Sequence, residues 1–91
     1  MDVRELTWDE WNETHIARHG VEPDEVEDVC FSQRSLSVRM RHRRYRVIGQ
    51  TVDGRYLTVI LDSEQAGTFY VVTSRDATDP ERRRLHQWRG R

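Results

Sequence analysis

The sequence predicts one α+β domain, with two helices before a four-stranded, mainly antiparallel sheet and one helix after it. Three observations carry this. Apolar residues fall at helical spacing in the first third of the chain and again at its end. Between those stretches the apolar period drops to two, as in half-buried strands. Two Thr-x-x-Glu patterns, Thr7 with Glu10 and Thr78 with Glu81, have the form of capping boxes at helix starts.

The first helix is expected from Trp8, with Leu6 and Trp11 placed as a hydrophobic staple and Gly20 as the C-terminal stop. Trp8, Trp11, His15 and His19 share one face of it by three- and four-residue steps. The second helix opens on Pro23, a residue suited to the first turn, and buries Val26, Val29 and Cys30. Leu36, Val38 and Met40 then alternate with polar residues. A basic turn, Arg41 to Arg44, leads into a second strand, Tyr45 to Thr51. Asp53-Gly54 marks a two-residue hairpin, and Arg55 to Leu61 returns as a nearly continuous apolar strand, expected at the sheet centre. A polar loop ending at Gly67 precedes the last strand, Thr68 to Ser74. In the final helix Leu85 and Trp88 are the apolar contacts.

A chain of 91 residues suits one domain, residues 1–91, with a compact core. It begins without a basic stretch leading into an apolar run and has no apolar segment of membrane length. Its single cysteine, Cys30, excludes an intrachain disulfide. These features point to the cytoplasm and away from a membrane.

The net charge of −1 hides a strong asymmetry. Residues 1–30 hold ten acids and two arginines, a net −8, and residues 31–91 hold thirteen arginines and six acids, a net +7. The second segment can attract a polyanion and the first a basic partner. Every basic side chain of the Lys/Arg type is arginine, which binds phosphate through two N–H groups and stacks on bases. Codon bias accounts for the missing lysine more readily than for the clustering.

Four blocks in order resemble the BrnT family of toxins. They are Leu6-Thr7-Trp8-Asp9 with Ile16-Ala17-Arg18-His19-Gly20-Val21; Glu25-Val26-Glu27-Asp28-Val29; Arg44 to Thr51 with Gly54 to Val59; and Thr73-Ser74-Arg75-Asp76-Ala77-Thr78 with Glu81-Arg82. The resemblance covers about residues 6–85 and implies a RelE-like fold, ribonuclease toxicity, and neutralisation in a hetero-oligomer by a BrnA-type antitoxin that also binds DNA. The chain departs from the family pattern at Trp11, His15 and Leu85, where lysine, asparagine and tyrosine are usual. A non-catalytic module that complexes a DNA-binding antitoxin and tunes its operon is therefore the second reading.

Metal-free RNA cleavage needs a base for the ribose 2′-hydroxyl, an acid for the leaving oxygen, and cations for the phosphate. His15 and His19 lie one turn apart and are suited to proton transfer near neutral pH. Each has a structural role as its alternative, for His19 that of capping the helix end against the sheet. His-x-x-x-His is also half of a zinc motif, but Ile16 replaces the glutamate of that motif and no third ligand is obvious, so no metal or other cofactor is expected. Arg55, Arg75 and Arg82 are the transition-state candidates, each alternatively a surface ion pair; Glu81 is foremost a cap, with orienting an arginine or acting as a base as other roles. For RNA binding, Arg44 and Arg46 lie in a basic run and Trp8 and Tyr45 could stack on bases, while core packing is the commoner use of such aromatics. The site requires these groups to converge on one concave face.

Overall fold

The computed structural model describes residues 1–90. In chain order the elements are β1 (Glu5–Thr7), α1 (Glu10–Ala17), α2 (Pro23–Cys30), β2 (Leu36–Arg39), β3 (Arg44–Gln50), β4 (Tyr56–Gln65), β5 (Thr68–Asp76) and α3 (Asp79–Arg89). The sheet order is β1-β5-β4-β3-β2, with β4 at the centre as its apolar run predicts. All neighbours are antiparallel except β1, which runs parallel to β5. The sheet thus has five strands rather than four.

The added strand was hidden because Glu5-Leu6-Thr7 is too short to display a period. Thr7 belongs to β1 and does not cap α1. The cap is Asp9, whose Oδ1 accepts from the Asn12 amide at 2.9 Å while Asn12 Oδ1 accepts from the Asp9 amide at 2.9 Å. The buried Asn12 side chain also donates Nδ2–H to the Thr7 carbonyl at 2.9 Å, tying α1 to β1. Consequently Leu6 enters the core, and no Leu6–Trp11 staple forms. Helix α1 turns Asn12 and Ile16 inward, so Trp11 on the other stripe is 83% exposed rather than packed.

Helix α2 starts at Pro23 and buries Val26, Val29 and Cys30, as its pattern predicts. Thr51 and Arg55 close a three-residue loop rather than a two-residue one. The Gly54 amide donates to the Thr51 carbonyl at 2.9 Å, with Gly54 at φ +92°, a left-handed position that favours glycine. Strand β4 continues through the segment expected as a loop, and only Ala66-Gly67 remains as the turn. The Thr78–Glu81 capping box of α3 forms as expected.

The main core lies on one face of the sheet. Val47, Leu57, Val59, Leu61, Phe69 and Val71 meet Ile16 of α1 and Val26 and Val29 of α2. Each such aliphatic side chain stabilises the fold by about 1.5–3 kcal/mol. On the opposite face Ile48, paired with Thr58, is fully buried, and α3 lies against β3 with Leu85 fully buried. The sheet therefore separates α1 and α2 from α3.

Candidate functional site

The α3 side of the sheet carries a cluster of charged side chains. Strand alternation places Arg46, Thr58, Ile60 and Arg75 on this face, since Arg46 pairs with Ile60 and Thr58 with Arg75 while Leu57, Val59 and Leu61 point into the main core. Capping fixes Glu81 above them. Its Oε1 accepts from the Thr78 amide at 2.8 Å, and Arg75 donates NH1 and NH2 to Oε1 and Oε2 at 2.8 and 3.1 Å. Arg46 NH1 lies 3.8 Å from Oε2. Two half-buried guanidiniums thus share one carboxylate that is only 7% exposed. Among the described residues the buried Arg46 Nε has no partner. Burial alone would raise the Glu81 carboxyl, but Arg75 and the Thr78 amide outweigh it and hold the group at about 2.

A second cluster stands on the same face at the start of β4. The Arg82 guanidinium lies over the Tyr56 ring, 4.2 Å from its centroid, and the Tyr56 hydroxyl is 3.2 Å from His86 Nε2. Tyr56 is two residues from Thr58 and so on its face. Arg82 and His86 are one turn apart on α3, and both are exposed. The arrangement combines an imidazole, a phenol and a guanidinium that has no ion pair among the described residues, groups that can exchange a proton and face an anion. Neither Tyr56 nor His86 was singled out in the sequence; the four-residue step from Arg82 to His86 was the signal that could have found the histidine.

The convergence expected from the sequence is met only in part. Arg75, Glu81, Arg46 and Arg82 come to the α3 side. His15 and His19 lie across the sheet on and just after α1, exposed, their rings edge to face at 5.6 Å. Arg55 also lies on the α1–α2 side. It donates Nε–H to Asp76 at 2.9 Å and NH1 to the Gly20 carbonyl at 2.8 Å and Glu25 at 3.0 Å. It ties β4, β5 and the α1–α2 turn together, a structural role that its three anionic or carbonyl partners account for.

The four RNA-binding candidates also divide. Arg44 is paired with Asp62 through two bonds of 2.7 and 3.0 Å. Tyr45 stands on the main-core face, edge-on to Phe69 at 5.7 Å, and Trp8 packs against the same core. Their rings contribute to packing. Among the described residues no three His, Cys, Asp or Glu side chains cluster as metal ligands would, and no helix is long and apolar enough to cross a membrane.

A small α+β fold with charged clusters over one sheet face defines the class, and comparison with known proteins narrows it. The fold is similar to that in the 1.1 Å crystal structure of the Brucella abortus ribonuclease toxin, BrnT, with a TM-score of 0.66 and 23% sequence identity, covering 82% of this chain and 97% of that one. The family described as ribonuclease toxin, BrnT, of type II toxin-antitoxin system matches residues 8–81. The chain belongs to this BrnT family of ribonuclease toxins. No curated protein sequence matches it.

Proposed function

We propose that the chain cleaves RNA without a metal ion and is neutralised in a hetero-oligomer by a DNA-binding antitoxin of the BrnA type. Membership of a ribonuclease toxin family supports the reaction class. The observation that carries the site is the sharing of one carboxylate, Glu81, between Arg75 and Arg46. Two guanidiniums on one anion leave a positive charge for a phosphate, and Arg82 adds a second cation that carries no carboxylate among the described residues.

In this reading the RNA backbone lies on the α3 face. Arg46, Arg75 and Arg82 take up the charge that grows on the non-bridging phosphate oxygens. His86 and Tyr56 move protons at the ribose and the leaving oxygen. The 2′-oxygen attacks phosphorus as its proton passes to the base, the bond to the 5′-oxygen breaks, and that oxygen is protonated. The products are a 2′,3′-cyclic phosphate and a 5′-hydroxyl. Glu81 stays ionised throughout and positions the two arginines. His15, His19 and Arg55 stand outside this set.

Incubating purified, antitoxin-free chain with RNA in excess chelator tests the proposal. Cleavage that persists with chelator, and stops when the scissile nucleotide lacks its 2′-hydroxyl, is expected. Intact RNA with well-folded chain would instead favour the binding-module reading.

A further inference from the structure

The structure holds a second built surface on the other side of the sheet. Phe31, just after α2, is 48% exposed, and Val52, at the tip of the β3–β4 hairpin, is 86% exposed. Both line one hollow of about 470 Å³, whose rim includes Asp24, Glu27 and Asp28. The hollow is held in shape, because the Val52 amide donates to Asp28 Oδ2 at 3.0 Å and so pins the hairpin tip to α2. Among the described residues, Asp24 and Glu27 make no ion pair. Glu27 also adds to burial in pushing the neighbouring Cys30 thiol up to about 12.

An apolar pair rimmed by carboxylates, two of them without an ion pair among the described residues, is matched by an apolar anchor flanked by cationic side chains. We propose that this hollow is the docking site of the antitoxin, which seats an apolar side chain between Phe31 and Val52 and sets arginines or lysines against Asp24 and Glu27. The inference rests on the toxin reading above, which supplies the partner. An antitoxin that binds DNA carries cationic segments for the phosphates, so its charge fits. RNA is repelled by the same carboxylates. A second copy of this chain fits less well. Its arginine-rich helix α3 supplies the charge, but Leu85 is buried and the α3 residues exposed beyond Pro80, namely Arg82, Arg83, Arg84, His86 and Gln87, offer no apolar anchor.

Calorimetric titration of the purified chain with its co-encoded antitoxin tests the surface, using Val52→Ser and the pair Asp24→Arg with Glu27→Arg. Asp24 and Val52 are exposed and Glu27 is half-buried, and thermal melts together with RNA cleavage by the free variants check that fold and activity are kept. Each variant is expected to raise Kd about tenfold or more, with the charge-reversed pair also losing most of the salt dependence. Wild-type affinity in both variants overturns this surface and leaves the toxin reading standing. A wild-type chain that binds no antitoxin overturns both. Self-association in sedimentation that the same variants abolish would give the hollow to a second copy and sink the proposal.

Discussion

Arg75 holds Glu81 through two hydrogen bonds of 2.8 and 3.1 Å, and the same carboxylate receives the first free amide of α3, that of Thr78. One side chain therefore joins the last strand to the last helix and sets the arginines of the proposed RNA face.

Stability should follow the charge of Glu81. Its folded pKa, about 2, lies below the ordinary 4.5. A depressed carboxylate stabilises fully above the ordinary value, and the contribution is lost as pH falls through the folded one. The window is therefore pH 4.5 down to 2, with a contribution on the order of 3 kcal/mol. Glu81→Gln should cost about 1–3 kcal/mol at pH 7. In denaturant melts the gap from wild type should narrow as pH falls toward 2. A gap that stays constant with pH would show that the charge is not what matters.

The two sides of the sheet should respond differently in RNA cleavage. Arg82→Ala and His86→Ala are each expected to slow it by about 10- to 1000-fold, the range for losing one charge-stabilising or proton-transfer group. The double variant His15→Ala with His19→Ala should cut RNA within about twofold of wild type, because both rings stand across the sheet from α3. The reverse ranking, measured on one RNA at one pH, moves the chemistry to α1.

Gly49→Ala is expected to destabilise the fold by about 1–3 kcal/mol. A Cβ there would lie 2.1 Å from Ser35 Oγ and 3.1 Å from Val29 Cγ1. Ser35 cannot step aside freely, since its hydroxyl donates to the Val29 carbonyl at 2.7 Å. Urea midpoints of the two proteins check this; a variant as stable as wild type means that α2 and β2 can slide apart without penalty.

The turn between β2 and β3 should be improvable. His42 and Arg43 stand at φ +59° and +63°, left-handed positions that non-glycine residues adopt at a cost. His42→Asn with Arg43→Gly supplies the residues such a turn favours, and a gain of about 1 kcal/mol in thermal or urea unfolding is expected. A loss would mean that the two side chains make contacts outweighing the strain.

Much of the fold was legible because local and global signals agreed. The second helix, the central position of β4 and the α3 capping box each follow from a few adjacent residues. The start of α1 was misread because Thr7-x-x-Glu10 imitates a cap, while the working pair, Asp9 and Asn12, has amide rather than carboxylate chemistry at its third helical position. Trp11 was misplaced since a helix of eight residues with two buried positions gives almost no apolar stripe to orient it. The grouping of the candidate site was half legible. Arg75, Glu81 and Arg82 sit within one strand–helix junction, where sequence distance stands in for spatial distance. Whether His15 and Arg55 join them depends on which side of a sheet each falls, and that is set by long-range register.

The segregation of charge along the chain becomes segregation through space. Asp24, Glu25, Glu27 and Asp28 ride on α2 behind the sheet, and Arg82, Arg83, Arg84 and Arg89 ride on α3 in front of it. A molecule with a net charge of −1 thus bears a large electric dipole across its thickness. Within the roughly 8 Å reach of a polyanion's field at physiological salt, that dipole would feel an aligning torque and, because the field falls off so steeply, a pull on its arginine side. On the proposed reading the arginine helix would be turned forward before contact, giving a near-neutral protein the orientational advantage of a basic one.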